Sequence, residues 1–290
     1  MGLTFLDFFA GIGGFRLGMQ QAGHTPVGWV EWDKFARKSY EAIHTPEGEW
    51  TAHDIRDAIA GDLPRADIWS SGFPCTDISK AKTDRKGLDG EASGLFYTLI
   101  NLLQKTEDER KPSYLFIENV EDLLSVNGGW DFTRLLLELD GCGYDAEWQV
   151  INSSGFVPQN RSRVFVVGHF RGRGTRKVFP IPGISNTAQL KQVATFDIKA
   201  QDALKRIYSP DLCPTLTTMQ GGHRQPKILL PDGRARKLTP RECWRAQGFP
   251  DWAFDRAAAV NSDSQLYKQA GNSVSVPVIE AIARQFEIAT

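Results

Sequence analysis

The sequence predicts a doubly wound, mostly parallel α/β sheet of Rossmann-like type carrying a second, smaller, irregular lobe. Three observations lead there. Apolar strand-like runs alternate with amphipathic helical segments through the first 170 or so residues; the alternation stops from Arg171 to about Arg236; and a last amphipathic segment, 276–288, is placed to return to the first unit. The expected division is 1–169 plus about 272–290 for the larger domain and about 170–271 for the smaller.

The elements follow in order. Residues 3–9 are an apolar run, and 13–22 are short and amphipathic, stopped by Gly23, which suits the left-handed backbone at a helix C-terminus. Residues 27–30 are strand-like, and 33–43 have a helical pattern with Asp33 as N-cap. A third strand ends before His53-Asp54-Ile55. Further strands are expected at 67–70, 113–120, 147–151 and 164–170, with helices at 95–104 and 130–139. From 171 to 236 the chain is rich in Gly, Pro, Thr and Arg with weak periodicity, fitting a linker or a small lobe. The apolar series Ile184, Leu190, Val193, Phe196, Ile207, Tyr208 and Leu212 favours the lobe. The last helix pattern has Pro277 near its start, where a missing N–H costs nothing. There is no internal repeat.

Composition narrows the class. With 290 residues, 41% hydrophobic and 24% charged, the chain has material for one large domain plus a lobe. No window approaches ~18 consecutive apolar residues, so no membrane span is expected. The N-terminus lacks a basic segment and cleavage site, so no signal peptide is expected. Cys75, Cys142, Cys213 and Cys243 form no C-x-x-C pair, which argues against a metal cage or a disulfide framework and for a reducing, cytoplasmic setting. The formal net charge of −1 hides an asymmetry: 170–237 holds 13 of the 34 Lys/Arg and only 4 of the 35 Asp/Glu. Such segregation suits a lobe that meets a polyanion, although a solvated basic surface would look the same.

Four stretches carry chemistry. Phe8-Phe9-Ala10-Gly11-Ile12-Gly13-Gly14 follows the first strand, where glycines allow positive φ and close ligand approach. Glu31 ends the second strand, positioned to accept from ribose hydroxyls, and Asp54 could meet an adenine amino group. The glycines depart from G-x-G-x-x-G and, alone, leave a dinucleotide and S-adenosylmethionine equally open. Ser71-Gly72-Phe73-Pro74-Cys75 ends the fourth strand. Most free cysteines are small buried hydrophobes, but the carboxyl ends of strands face the ligand crevice in such sheets, so Cys75 would face it. The polar stretch 80–94 is expected to act as a mobile lid, with Lys80, Lys82, Arg85 and Lys86 able to meet phosphates. Phe116-Ile117-Glu118-Asn119-Val120 brings a carboxylate to the crevice edge, where a salt bridge or a solvated strand end is the plainer explanation. Gln159-Asn160-Arg161-Ser162-Arg163 puts two arginines on one face of an extended segment, as a charged strand edge would.

Taken in this order, these blocks resemble the cytosine-5 DNA methyltransferase family of bacterial and phage type. So do Leu238-Thr239-Pro240-Arg241-Glu242-Cys243, Gln247-Gly248-Phe249-Pro250 and Gln269-Ala270-Gly271-Asn272-Ser273-Val274. The resemblance runs from Phe5 to about Ala283, leaving only the basic lobe unmatched. It implies an enzyme that moves a methyl group from S-adenosylmethionine to C5 of a flipped cytosine in duplex DNA, as in restriction-modification systems. Cys75 would attack C6, Glu118 would hold N3 and the exocyclic amine, Arg163 would bond O2, and Arg161 would support them. Phe9, Gly11, Gly13, Gly14, Glu31, Trp32, Asp54, Ile55, Pro74, Asn272 and Ser273 would bind the cofactor. Lys82, Arg85, Arg224, Gln225 and Lys227 are the expected DNA contacts, with His223 beside them.

Thr76 stands where glutamine is common, and Ser71-Gly72 replaces two glycines; neither change removes a reacting group. The short recognition segment suggests a short target. A cytoplasmic monomer, nucleoid-associated in a bacterial or phage-infected cell, needing neither metal nor membrane, is the expected setting. An RNA cytosine-5 methyltransferase and a non-catalytic DNA-binding relative are the alternatives.

Overall fold

A computed structural model describes residues 2–79, 85–181, 189–195, 202–219 and 224–288. The first half alternates as its hydrophobic pattern dictates: β1 (Thr4–Phe8), α1 (Gly14–Gln21), β2 (Thr25–Val30), α2 (Lys34–His44), β3 (Trp50–Ala52), β4 (Ile68–Ser71), α3 (Leu95–Lys105), β5 (Tyr114–Val120), α4 (Trp130–Gly141), β6 (Tyr144–Asn152) and β7 (Ser162–Phe170). Their strands form one sheet in the order β3-β2-β1-β4-β5-β7-β6. β1 to β5 run parallel, and β7 is antiparallel to both its neighbours. The order reverses between β1 and β4, so the turns leaving these two strands diverge and open a crevice at their carboxyl ends.

Alternate residues of the central strands feed opposite faces. Leu6, Trp69, Leu115 and Ile117 pack with Phe96, Leu99 and Leu103 of α3 and Leu135 of α4. Phe5, Ile68 and Phe116 pack with Phe15 and Met19 of α1 on the other face. Every residue of β5 is buried, as befits a strand covered on both sides. Asp33 caps α2, its carboxylate accepting from the Phe35 and Ala36 amides, and Gly23 takes φ 92° after α1.

The basic segment contains more order than its sequence suggests. β8 (Gln192–Thr195), α5 (Asp202–Lys205), β9 (Arg206–Tyr208), β10 (Lys227–Leu229) and β11 (Ala235–Lys237) follow, and the strands form a second sheet, β11-β10-β9-β8. Strands of three or four residues are too short to leave a period. Of the expected anchors, Ile207, Tyr208 and Leu212 are buried, Val193 is exposed, and Ile184 and Phe196 lie outside the described residues.

Three unanticipated helices come next, α6 (Pro240–Ala246), α7 (Asp251–Ala258) and α8 (Asp263–Asn272), before α9 (Val276–Ala283). A capping box between Thr239 and Glu242, with Pro240 at the first position, opens α6. Trp244, Phe254 and Leu266 share a core with Ile12 from the turn after β1, Leu17 of α1 and Ile43 of α2, and with Leu216 and Ile228 from the smaller lobe. α9 packs on the sheet with α1, as expected, but ends at Ala283 instead of 288. The chain leaves the helix because Phe286 joins an aromatic cluster with Tyr114 and Phe116, ring centroids 4.8 and 5.3 Å away. The Tyr114 hydroxyl holds it there by donating to the Glu287 carbonyl at 2.6 Å. Among the described residues no helix is long and apolar enough to cross a membrane, and no cluster of three His, Cys, Asp or Glu could hold a metal.

Candidate active site

The turn after β1 is shaped by left-handed backbone: Phe9 has φ 59°, Gly11 57° and Gly13 82°. A non-glycine residue in this region is uncommon and marks strain held by its surroundings. A side chain at Gly13 would strike His44, its Cβ only 2.0 Å from Nε2. At Gly14 a Cβ would lie 2.8 Å from both Ser273 Oγ and Val274 Cγ2, so the block after α8 rests on the start of α1. Above Gly11, by contrast, a Cβ would meet nothing within 4 Å. Glu31 borders this open ground. It is buried, and its two oxygens accept from the Gly11 and Asp33 amides at 2.7 Å each. Burial pushes its carboxyl pKa up, against the pull of those donors.

The neighbouring expected residues differ in placement. The Trp32 ring is 65% exposed beside Glu31, Ile55 is buried, and Asn272 is exposed at the end of α8. The Asp54 carboxylate is already engaged by the Arg56 amide and guanidinium, at 2.9 and 3.0 Å.

Cys75 sits in a loop fixed at several points. The Asn119 side chain donates to the Phe73 carbonyl at 3.2 Å while its own oxygen accepts from the Val120 amide at 2.8 Å. Ser93 Oγ donates to the Pro74 carbonyl at 3.0 Å, and the Cys75 carbonyl accepts from Ile78 and Ser79 at 3.0 Å each. The buried Asp77 takes the Ala92 and Ser93 amides, tying 90–93 to the same loop. The Cys75 thiol is half-buried. Burial raises its pKa most and Glu118 raises it further, while Arg163 and Arg161 oppose them. Cys75 therefore rests as a neutral thiol at neutral pH.

Glu118 and Arg163 face each other through the β5–β7 register, in which Val120 pairs with Arg163 and Glu118 with Phe165. Arg163 Nε lies 3.0 Å from Glu118 Oε1, yet its N–H is not aimed there and Oε1 makes no hydrogen bond among the described residues. Glu118 is 8% exposed, leaving an ionisable edge at the crevice with unused accepting capacity. Arg161 points elsewhere. Fully buried, it donates to the carbonyls of Leu216 and Gly271 at 3.3 Å and of Ser273 at 2.8 Å. Burial and the Arg163 charge lower its pKa to about 9, still protonated at neutral pH. Arg161 thus braces the site from behind, and a cavity of about 10 Å³ separates it from Glu118. Cys75, Glu118, Arg161 and Arg163 are brought together, close enough to influence one another's ionisation.

The expected DNA contacts are more scattered. Lys80, Lys82 and His223 lie outside the described residues. Arg85 is half-buried and Arg224 exposed, and Gln225 donates to the Met219 carbonyl at 3.3 Å. Lys227 departs from expectation: it is 4% exposed within β10, its ammonium turned toward the Gln225 carbonyl at 3.4 Å. The short sheet takes up its stem, so it is not displayed to solvent. Gln247 supports the same region, its side chain donating to the Ala270 and Ser273 carbonyls at 2.8 and 3.2 Å. Sequence reasoning missed the supporting roles of Asn119, Asp77, Ser93 and Gln247. Three of these, all but Asp77, lie inside stretches singled out above, but the partners they support are distant in the chain.

The chain is similar to known proteins. Residues 3–220 and 181–287 match the family model described as C-5 cytosine-specific DNA methylase. The chain is 35% identical over 318 residues to the type II methyltransferase M.Bsp6I of Bacillus sp. (strain RFL6), covering 97% of each protein. It is 33% identical to the type II methyltransferase M.NlaX of Neisseria lactamica, covering 98% of this chain and 96% of that one. Among solved structures, the S. pombe Dnmt2 methyltransferase superposes with a TM-score of 0.74 at 20% identity, over 96% of both chains, a likeness of fold. With its sheet, its glycine turn and its grouped cysteine, glutamate and arginines, the chain belongs to the C-5 cytosine-specific DNA methylase family and is a cytosine-5 methyltransferase.

Proposed function

We propose that the protein methylates C5 of a cytosine flipped out of a short duplex DNA sequence, using S-adenosylmethionine and a transient bond between Cys75 and C6. The observation that carries this reading is the meeting of Cys75 with Glu118 and Arg163 at the crevice formed by the carboxyl ends of β4 and β5 and the amino end of β7.

The residues around the glycine turn fit the cofactor. The open ground above Gly11 is bordered by a buried carboxylate at Glu31 and an exposed indole at Trp32, suited to hydroxyls and to a flat ring. Phe9, Gly13, Gly14, Ile55, Pro74, Asn272 and Ser273 complete the proposed surround, with Asp54 taking part if it releases Arg56. S-adenosylmethionine supplies an electrophilic methyl group to C5 when bound.

The chain's own residues do the rest. C5 of cytosine is a poor nucleophile until a thiolate adds at C6. Cys75 gives its proton to water and forms the S–C6 bond as the C5–C6 double bond opens and its electrons move toward C5 and N3. Glu118 bonds N3 and the exocyclic amine, and Arg163 bonds O2, stabilising charge where it develops. After methylation the C5 proton leaves, the C6–S bond breaks, and Cys75 is released. Extruding the base costs a few kcal/mol, which contacts from the basic segment must offset. That segment, about 170–271 in the proposed division, supplies Arg224 and Gln225 as contacts; Arg85 is a further proposed contact, as is Lys82, which lies outside the described residues. Relatives of bacterial and phage origin support a cytoplasmic, nucleoid-associated setting in such cells, and one flipped base requires only a monomer.

Incubation with labelled S-adenosylmethionine and duplex DNA carrying 5-fluorocytosine, with RNA of matched composition alongside, tests this. Fluorine blocks the final elimination, so a denaturation-resistant adduct on DNA, absent in Cys75→Ser, is expected. An adduct on RNA alone, or one that persists without Cys75, would refute the proposal.

A further inference from the structure

Gln159 opens the Gln-x-Arg-x-Arg block, yet nothing above uses it. It is fully buried, and both ends of its amide are engaged: Nε2 donates to the Ala246 carbonyl at 3.0 Å, and Oε1 accepts from the Leu216 amide at 3.1 Å. Around it, residues 213–217 run alongside 158–161. The Cys213 amide donates to the Pro158 carbonyl and the Asn160 amide to the Cys213 carbonyl, both at 2.9 Å. Thr215 Oγ1 donates to the Asn160 carbonyl at 2.6 Å. Leu216 is held on both sides, its amide by Gln159 and its carbonyl by Arg161. One residue further, the Thr217 carbonyl lies so near Gly271 that a Cβ there would stand 1.8 Å from it. Gln225, a proposed DNA contact, is tied back to this segment by its side chain, which donates to the Met219 carbonyl at 3.3 Å.

Resting on the function proposed above, we infer that Gln159 is a positioning residue through which the placement of the DNA-reading segment sets the placement of Arg161 and Arg163. A buried amide with both ends bonded resists sliding, because either displacement strands a polar group away from water. A DNA sequence that seats Arg224 and Gln225 correctly keeps Leu216 bonded to Gln159 and Arg161. Arg163, two residues along the same strand, then meets the base. A wrong sequence shifts the segment, and the shift passes through Leu216 to the arginines. Gln159 thereby contributes to sequence discrimination without touching DNA, and its effect falls on turnover at the preferred site.

The test begins by expressing the full chain in a host without cytosine-5 methylation and reading the methylated sites by bisulfite sequencing. Purified wild type, Gln159→Met and Thr215→Val then methylate duplexes carrying the preferred site and a single-mismatch site in single-turnover assays. Gln159→Met keeps the volume and removes both bonds; Thr215→Val changes an exposed residue and leaves the fold intact. The preferred-site rate should fall roughly tenfold or more in Gln159→Met. The mismatch rate should change little, so their ratio collapses, and Thr215→Val should move the ratio the same way by less. Equal losses at both sites, with the ratio unchanged in Thr215→Val, would overturn the inference and leave Gln159 a structural residue. Absence of any methylated cytosine with wild type would instead remove the function on which the inference rests, and the inference with it.

Discussion

Asp7, in the middle of β1, has no exposed surface. One carboxyl oxygen accepts from Ser70 Oγ at 3.1 Å, and the other makes no hydrogen bond among the described residues. Burial drives its pKa from 3.8 up to about 7, with the Ser70 hydroxyl and Arg16 pulling back. The native state therefore keeps a proton that the unfolded chain loses. Below the unfolded pKa both states are protonated and nothing is lost. Between there and about pH 7 stability falls as pH rises, and above it the deficit is constant. A rise of about three units, at ~1.36 kcal/mol each, amounts to ~4 kcal/mol in full. Roughly half of that falls between about pH 5.5 and pH 8. Asp7→Asn preserves the shape without the charge. Urea unfolding of both proteins across that range should show the variant's advantage growing by ~2 kcal/mol toward high pH. An advantage that does not vary with pH, or one that shrinks as pH rises, would show that Asp7 is ionised in the native state and would refute the reasoning.

The Cys75 thiol should react with iodoacetamide slowly at neutral pH and faster as pH rises, and Glu118→Gln should accelerate labelling by removing a negative neighbour. Mass spectrometry of the labelled peptide reads both; equal rates in the two proteins would detach Glu118 from Cys75. Arg161→Met takes their side-chain donor from the Leu216 and Gly271 carbonyls and leaves the Ser273 carbonyl to Gln247 alone, and should cost about 2–5 kcal/mol in denaturant unfolding, against under ~0.5 kcal/mol if the brace is idle. Arg224→Ala should weaken DNA binding across sequences and reduce the slope of log affinity against log salt by ~1. An unchanged slope would move the phosphate contact elsewhere.

How much was legible depended on how local each determinant was. β1, α1, β2 and α2 stand within a few residues of their expected bounds because apolar periodicity, Asp33 and Gly23 act within single elements. β8 to β11 left no such trace, since three residues cannot display a period of two. The capping box at Thr239 to Glu242 was readable and announces α6, but that block drew notice only as a family motif. In the site, the grouping of Cys75 with Glu118 and Arg163 followed from each standing at a strand end of one sheet. The backbone partners of Arg161, the clasp of Gln159 and the inward turn of Lys227 were not readable. Each depends on which distant backbone happens to lie alongside, and a lysine by itself favours the surface.

The joint between the two parts of the molecule is built unevenly. Gln159, Arg161 and Gln247 contribute side chains, whereas residues 213–217 and 270–273 answer almost wholly with backbone amides and carbonyls, Thr215 aside. A peptide group is the same whatever residue carries it. The reading segment can therefore change its composition without loosening its own attachment, and selection can retune which sequence is recognised while the reacting centre stays still. For an engineer, the same asymmetry marks where a foreign reading segment could be spliced: beyond Thr217, with the three clasping side chains left in place.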